Sequence, residues 1–371
     1  MLPWIAAQSL TDHHCHGVLR DGVSAGDIVS LLDEGAGTLD SLAGFSFMRW
    51  CPPVLDLPPG VSLASYVARR AELGVPEVVR RFLGQAWLGA MFVDTGFHGD
   101  RLFSPEEMGE LAGATAREVL RLEALASTVV SSGVTAAGFA DAYRSALSAA
   151  TRRGGTAGAP VVAVKSIAAY RVGLDLSPAR PDDRDVARAA DRWLSAGAGR
   201  LADETLHRFF IWAAAELGLP VQFHVGYGDR DVDLHRCDPL LLTPLLRALE
   251  PTGSPIMLLH NYPFHRHAGY LAQVFPLVYA DLGLATHNVG RQSAALLAEA
   301  LELVPFGKFL FSSDAFGLPE LYYLGALHFR RGLSAFLSAG LTDGDWTETD
   351  AERITRLICT ENAQRAYRLG S

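Results

Sequence analysis

Three histidines fall within four residues in the segment Asp12-His13-His14-Cys15-His16-Gly17, which closes a short apolar run. In an extended strand alternate side chains share a face, so His14 and His16 point the same way, and two imidazoles at that spacing can grip one metal ion. His13 and Cys15 are then expected on the other face, His13 in packing and Cys15 as a small buried hydrophobe. A lone His-x-His also arises in surface loops. Four further apolar runs change the reading, because each ends on a residue that ligates metal or moves protons: PVVAVK on Lys165, PVQFH on His224, PIMLLH on His260 and KFLFSSD on Asp314. Any one of these is readily a buried group satisfied by backbone. Five strand ends doing so together point to one rim where histidines and a carboxylate converge, a donor set suited to Zn²⁺, Mn²⁺ or Fe²⁺.

The elements that must position these residues follow from the rhythm of the chain. Short apolar runs alternate with longer amphipathic segments, the pattern of a parallel sheet with crossover helices. Strands are expected at 10–14, 88–94, 120–125, 161–165, 220–224, 255–260, 277–282 and 308–313, with a helix over 291–303 between the last two. Eight strands close a barrel, so the expected fold is α/β, a (β/α)8 TIM barrel with helical insertions after strands 1 and 4. Those insertions, about 17–87 and 166–219, are expected to cap a pocket within a single domain spanning 1–371. The first contains SFMRWCPPVLDLPPG, read as a Pro-rich turn between helices; residues 151–159 (TRRGGTAGA) read as a plain turn on the opposite face.

Composition narrows the function classes. The chain of 371 residues is 49% apolar and 20% charged, which excludes disordered and fibrous proteins. Its net charge of −9, with single scattered arginines, excludes the basic footprint of a nucleic-acid or anionic-membrane binder. Four distant cysteines form no CxxC pair, and the N-terminus lacks the basic and long apolar regions of a leader. No apolar run reaches the length of a membrane span. A soluble cytoplasmic protein is therefore expected. Apolar surface around 209–217 and 321–336 suits either self-association into a homo-oligomer or, as is commoner for such stretches, packing of the barrel.

The pattern His-x-His on strand one, Lys on four, His on five, His on six and Asp on eight resembles the amidohydrolase superfamily, of the amidohydrolase 2-like type. The segments DHHCHG, FVDTG, VKSIAAYRVGLDL, QFHVGYGDRDVDL, LLHNYPFHRHAGYLA, YADLGL, SSDAFGLPELYYLGA and ICTENAQRAYRL are similar to the amidohydrolase domain of FluG-type proteins and its free-standing bacterial relatives. The resemblance implies that His14, His16 and His224 ligate a divalent metal, zinc first and manganese or iron next, one ion or two, with Asp314 nearby. An ion so held lowers the pKa of a water from about 15.7 towards 7. Asp314 would act as ligand and general base, and His260 would polarise the scissile carbonyl or ligate a second ion.

Lys165 divides the one-ion and two-ion readings. Carboxylated, it would bridge two ions; as a free ammonium it would hold a substrate carboxylate together with Arg171. Tyr170 and Arg171 follow strand four as substrate-binding candidates, and Asp229, in GYGDRD, is the candidate for a substrate ammonium, although such loops also make plain turns. Asp94 and Asp281 are expected to orient ligand histidines, and Arg121 and Glu123 to stand at the rim or behind it. His98, His207, His235, His265, His267, His287 and His328 are read as surface or structural. The implied activity is hydrolysis of a C–N (amide) bond in a small carboxylated molecule. Fusion of relatives to glutamine-synthetase-like domains suggests a γ-glutamyl amide. The same ligand set also serves mononuclear decarboxylases and uronate isomerases, and a regulatory barrel without turnover is the third reading.

Overall fold

Seven parallel strands pair strictly in chain order in the computed structural model, which describes residues 1–35, 37–97, 99–153 and 158–369. They are β1 (Leu10–His16), β2 (Leu88–Asp94), β3 (Thr115–Arg121), β4 (Val161–Ser166), β5 (Val221–Val225), β6 (Ile256–His260) and β7 (Val278–Ala280). The expected eighth strand is present as a path without a regular ladder. Residues 309–315 run between β7 and β1: Leu310 N donates to Ala280 O at 3.0 Å, His13 N to Phe311 O at 3.1 Å and His16 N to Ala315 O at 2.9 Å. The buried Asp12 carboxylate also accepts from the Ser313 amide at 2.9 Å and from its hydroxyl. Backbone bonds on both edges thus complete a TIM-barrel-like fold, while the left-handed backbone at Asp314 (φ 51°) keeps the segment from continuing as a strand.

The third strand lies earlier than the apolar run suggests. Leu122, Leu125, Ala126 and Val129 are spaced i, i+3, i+4, i+7 and form the buried stripe of the helix Leu122–Ser131. The strand itself, TAREVLR, is more polar, and its Glu118 is buried as an acceptor for the Thr95 hydroxyl. Between β7 and the eighth segment the helix is shorter than expected, Ser293–Ala300 behind a turn of 3₁₀ helix. Pro52 and Pro53 lie in the last turns of the helix Leu42–Val54 rather than in a turn; the Met48 carbonyl that Pro52 leaves without a helical donor accepts from Gly60 N at 3.0 Å. Residues 154–157 of the expected 151–159 turn lie outside the described residues, and Thr151–Arg153 end the helix Phe139–Arg153.

Side chains sort into two apolar sets. One, between strands and helices, holds most of the core. The other takes Phe92, Val119, Ala163, Met257, Leu259, Tyr279 and Leu310 from successive strands and fills the barrel interior, plugged by Ala363, Ala366 and Tyr367 of the C-terminal helix. The two segments expected to support self-association are largely packed against their neighbours, with Leu217 exposed. Phe209, Phe210 and Ile211, like Leu321, Leu324 and Leu333, are at most 3% exposed, because the helices that carry them pack on their neighbours. Among the described residues no helix is long and apolar enough to cross a membrane.

Candidate active site

The polar strand ends meet above the interior plug. Three residue steps along β1 (from Asp12 to Cys15) match two along β2 (Met91 to Val93), a β-bulge that breaks the alternation expected there. In consequence His13 does not face outward. It lies fully buried in the interior, with Nε2 2.6 Å from Asp281 Oδ2 and Nδ1 2.7 Å from the Tyr367 hydroxyl. His14 and His16 stand above it with ring centroids 5.2 Å apart. Cys15 takes the outer face as expected, in the core between strands and helices.

His14 Nε2 lies 3.1 Å and His16 Nε2 3.4 Å from the same oxygen, Oδ1 of Asp314. Ligand atoms of these three residues all fall within 4.8 Å of one another. His260 joins from β6 by a local device. Met257 and Leu259 point inward, so simple alternation would turn residue 260 away; its left-handed backbone (φ 70°) returns the ring to the mouth, Nδ1 3.5 Å from Asp314 Oδ2. The His260 and His224 rings lie 4.6 Å apart and Tyr170 packs on His224 at 4.4 Å. Glycine is required where the loops close on these rings. A Cβ at Gly228 would strike the Tyr170 hydroxyl and come within 3.0 Å of His224 Nε2, and one at Gly283 would lie 3.1 Å from His260 Nδ1.

Burial sets the protonation states. It lowers the His14 imidazole to about 4, helped by the Lys165 ammonium, and it holds His224 and His260 well below the ordinary histidine value. Burial also pushes the Asp314 carboxyl up, but the neighbouring His260, His14 and His16 rings outweigh it and hold Asp314 well below the ordinary carboxylate value. Neutral imidazoles beside an ionised carboxylate are the ligand forms a divalent cation needs. His14 Nδ1, His224 Nε2, both nitrogens of His260 and Oδ1 of Asp314 are buried without a hydrogen bond among the described residues, so the donor set fits such an ion.

Lys165 is buried with Nζ 2.7 Å from His14 Nε2 and 3.5 Å from Asp94 Oδ2, and burial lowers its pKa. Asp94 receives Arg121 at 2.6 Å and lies 4.0 Å from His16 Nδ1. Arg121 therefore stands in the site held by Asp94, whereas Glu123 stands behind it. Glu123 Oε1 accepts from Ser166 Oγ and Ile167 N, both at 3.0 Å, and pairs with buried His207 at 3.1 Å, fixing the turn after β4. Asp281 orients His260 through the backbone, accepting from its amide at 2.6 Å and from Gly283 N at 3.0 Å.

A cavity of about 580 Å³ opens onto His16, Lys165, His224 and Asp314. Tyr170, Arg171 and Asp229 line it. So do Glu34, from the first insertion, and His287, from the helix Gly283–Asn288 after β7, neither of which the sequence pointed to as a site residue. Glu34 sits in an insertion with no strand pattern to place it, and His287 shares its residue type with several structural histidines. Among those, His265 pairs with Glu299, His267 with Asp238, and buried His328 with the Ser46 hydroxyl, while His235 is exposed. His98 lies outside the described residues.

An α/β barrel whose strand ends present a His-x-His pair, further histidines and an aspartate to a mouth cavity defines a class of metal-centred barrel proteins. The chain belongs to the amidohydrolase family, whose model matches residues 84–369. The family implies a divalent metal, and the His14, His16 and Asp314 group offers it a place, with β1 lying outside the matched region. Protein fluG of Emericella nidulans is 34% identical over 225 residues, 56% of this chain, and the chain spans only 26% of that protein's length. A crystal structure from Lactobacillus casei ATCC 334, described as a metal-dependent hydrolase, superposes with a TM-score of 0.87 at 28% identity, covering 98% of this chain and 96% of that one. A uronate isomerase from Bacillus halodurans C-125 shares the fold at a TM-score of 0.63 and 13% identity, covering 99% and 95%.

Proposed function

We propose that the protein is a metal-dependent hydrolase that cleaves the C–N (amide) bond of a small carboxylated substrate, with a γ-glutamyl amide as the fitting candidate. The observation that carries this reading is the convergence of His14, His16 and ionised Asp314 on one point at the floor of a cavity lined by Arg171 and Tyr170. Similarity to the Lactobacillus casei hydrolase supports the reaction class.

His14, His16 and Asp314 would hold the ion, zinc being the first choice for this nitrogen and oxygen donor set, with His224 at its flank. When bound there, a divalent ion lowers the pKa of a water in the site and polarises a carbonyl. The chain's own residues supply the rest. Ionised Asp314 accepts a proton from the attacking water and returns it to the leaving nitrogen. Neutral His260 carries one ring N–H, which would donate a hydrogen bond to the developing oxyanion. Arg171 receives the substrate carboxylate, for which a guanidinium fork is geometrically matched. Lys165, as a free ammonium 3.5 Å from Asp94, helps keep the neighbouring His14 ring neutral.

Elemental analysis and an amide assay test this together. The purified protein, loaded with Zn²⁺ or Mn²⁺, is expected to hold at least one ion per chain and to release amine from γ-glutamyl amides. Asp314→Asn should abolish release while the protein remains folded. About two ions per chain, falling on Lys165→Ala, would assign Lys165 a bridging role instead. A loaded protein that releases CO₂ from aromatic acids or interconverts aldose and ketose, and leaves amides untouched, would overturn the reading.

A further inference from the structure

A guanidinium and a carboxyl in the mouth cavity have no side-chain partner among the described residues. Arg171 makes no hydrogen bond or ion pair with any described residue, although the guanidinium groups around it are engaged. Arg121 is held by Asp94, Arg200 by Asp231 and the Tyr170 carbonyl, and Arg236 by the Val172 carbonyl. Arg230 also stands unpaired, but it is exposed at the rim, where water satisfies it. Glu34 likewise has no side-chain partner among the described residues, whereas the cavity's other acids are tied into turns or pairs. Asp33 Oδ1 accepts from Gly35 N at 2.9 Å, Asp229 Oδ1 from Asp231 N at 2.8 Å, and Asp231 pairs with Arg200.

Leaving a mostly buried carboxyl unpaired is costly, and this one feels its neighbours. Burial, then repulsion from Asp314, Asp229 and Asp33, pushes the Glu34 carboxyl up to about 8. A cation placed against it would relieve that repulsion. A second group in the same cavity also asks for a donor. His287, 2% exposed, hydrogen-bonds the Ser313 backbone, and its Nδ1 is buried without a partner. Because a carbonyl only accepts, the proton sits on the nitrogen facing Ser313, and Nδ1 presents a lone pair.

We infer that the cavity takes an amino acid end in its zwitterionic form, with Arg171 receiving the carboxylate and Glu34 the ammonium. Glu34 is thus a specificity-determining residue that rejects the same acid lacking its amine. The inference rests on the proposed binding of a carboxylated substrate and adds a second, opposite charge to what the site selects. Asp229, another acid at the rim, is exposed and committed to its turn, so its field assists without making the contact.

The test is calorimetric titration of the metal-loaded full chain with L-glutamate and with glutarate, which differ only in the ammonium group. Wild type should bind glutamate roughly tenfold or more tightly than glutarate, the range of one charge-assisted contact in a partly desolvated site. Glu34→Gln, close in size, should bring that ratio near one while leaving glutarate affinity, metal content and melting temperature unchanged; Arg171→Gln should weaken both ligands. An unchanged ratio in Glu34→Gln would overturn the inference and leave the amide-hydrolase reading standing. Loss of metal in Glu34→Gln would also overturn it, by making Glu34 a ligand. If neither compound binds wild type, the carboxylated-substrate reading fails and the inference fails with it.

Discussion

Replacing Asp281 tests how the barrel interior holds the site in shape. This fully buried carboxylate ties three groups together. Its Oδ1 accepts from the amides of His260 (2.6 Å) and Gly283 (3.0 Å), and its Oδ2 meets His13 Nε2 at 2.6 Å. His260 is non-glycine at φ 70°, a conformation that costs on the order of 1–3 kcal/mol and persists only where its surroundings enforce it. Asp281→Leu would leave two amides and one imidazole nitrogen buried without acceptors. At about 1–3 kcal/mol for each orphaned group, the loss is roughly 3–9 kcal/mol before any relaxation. Against a typical total of about 5–15 kcal/mol, that is severe destabilisation. Asp281→Asn should be much milder. The amide oxygen can keep both backbone donors, and its NH₂ can face His13 if that ring moves its proton to Nδ1, which then donates to the Tyr367 hydroxyl. Urea unfolding of both variants beside wild type measures the difference, and amine release reports on His260. If Asp281→Leu falls within about 1 kcal/mol of wild type, or if Asn and Leu are equally damaging, the account of Asp281 as the clamp on His260 is wrong.

Further outcomes follow from other contacts. Glu320, fully buried, pairs with Arg70 at 2.8 Å and accepts from the Tyr66 hydroxyl at 2.8 Å, fastening the first insertion to the helix Pro319–Asp343; Glu320→Gln should cost about 3–5 kcal/mol by urea unfolding, since it strands a buried guanidinium. Burial first, then Arg331, lowers His328 to about 4 from an unfolded value near 6.5. The unfolded chain therefore binds more protons in that window, so stability is full above pH 6.5 and falls towards pH 4; the loss of about 3 kcal/mol should be absent from the acid limb of His328→Gln. A chelator should lower the melting temperature of the metal-loaded wild type and leave His14→Ala,His16→Ala unmoved, because only a native-state site gains stability from the ion. Gly283→Ala should lower kcat with little change in KM, as its Cβ would press on Ser312 Oγ at 2.5 Å and His260 Nδ1 at 3.1 Å.

Much of the site was legible because it sits on strand ends. Apolar runs closing on Lys165, His224, His260 and Asp314 read directly as barrel strands carrying chemistry, and the cavity collects Lys165, His224 and Asp314 with His16. Runs with mixed signals misled: 120–125 is apolar because it opens a helix, while β3 before it is half polar. Tertiary structure alone decided three things. The bulge between Asp12 and Cys15 turns His13 inward, since an inserted residue shifts the alternation that sequence spacing assumes. Positive φ at His260 and Asp314 re-aims both side chains, a strain that no residue type announces and that distant contacts such as Asp281 sustain. Glu34 and His287 reach the cavity only because an insertion and a post-strand helix fold over the mouth, bringing together residues 253 positions apart, which local sequence does not encode.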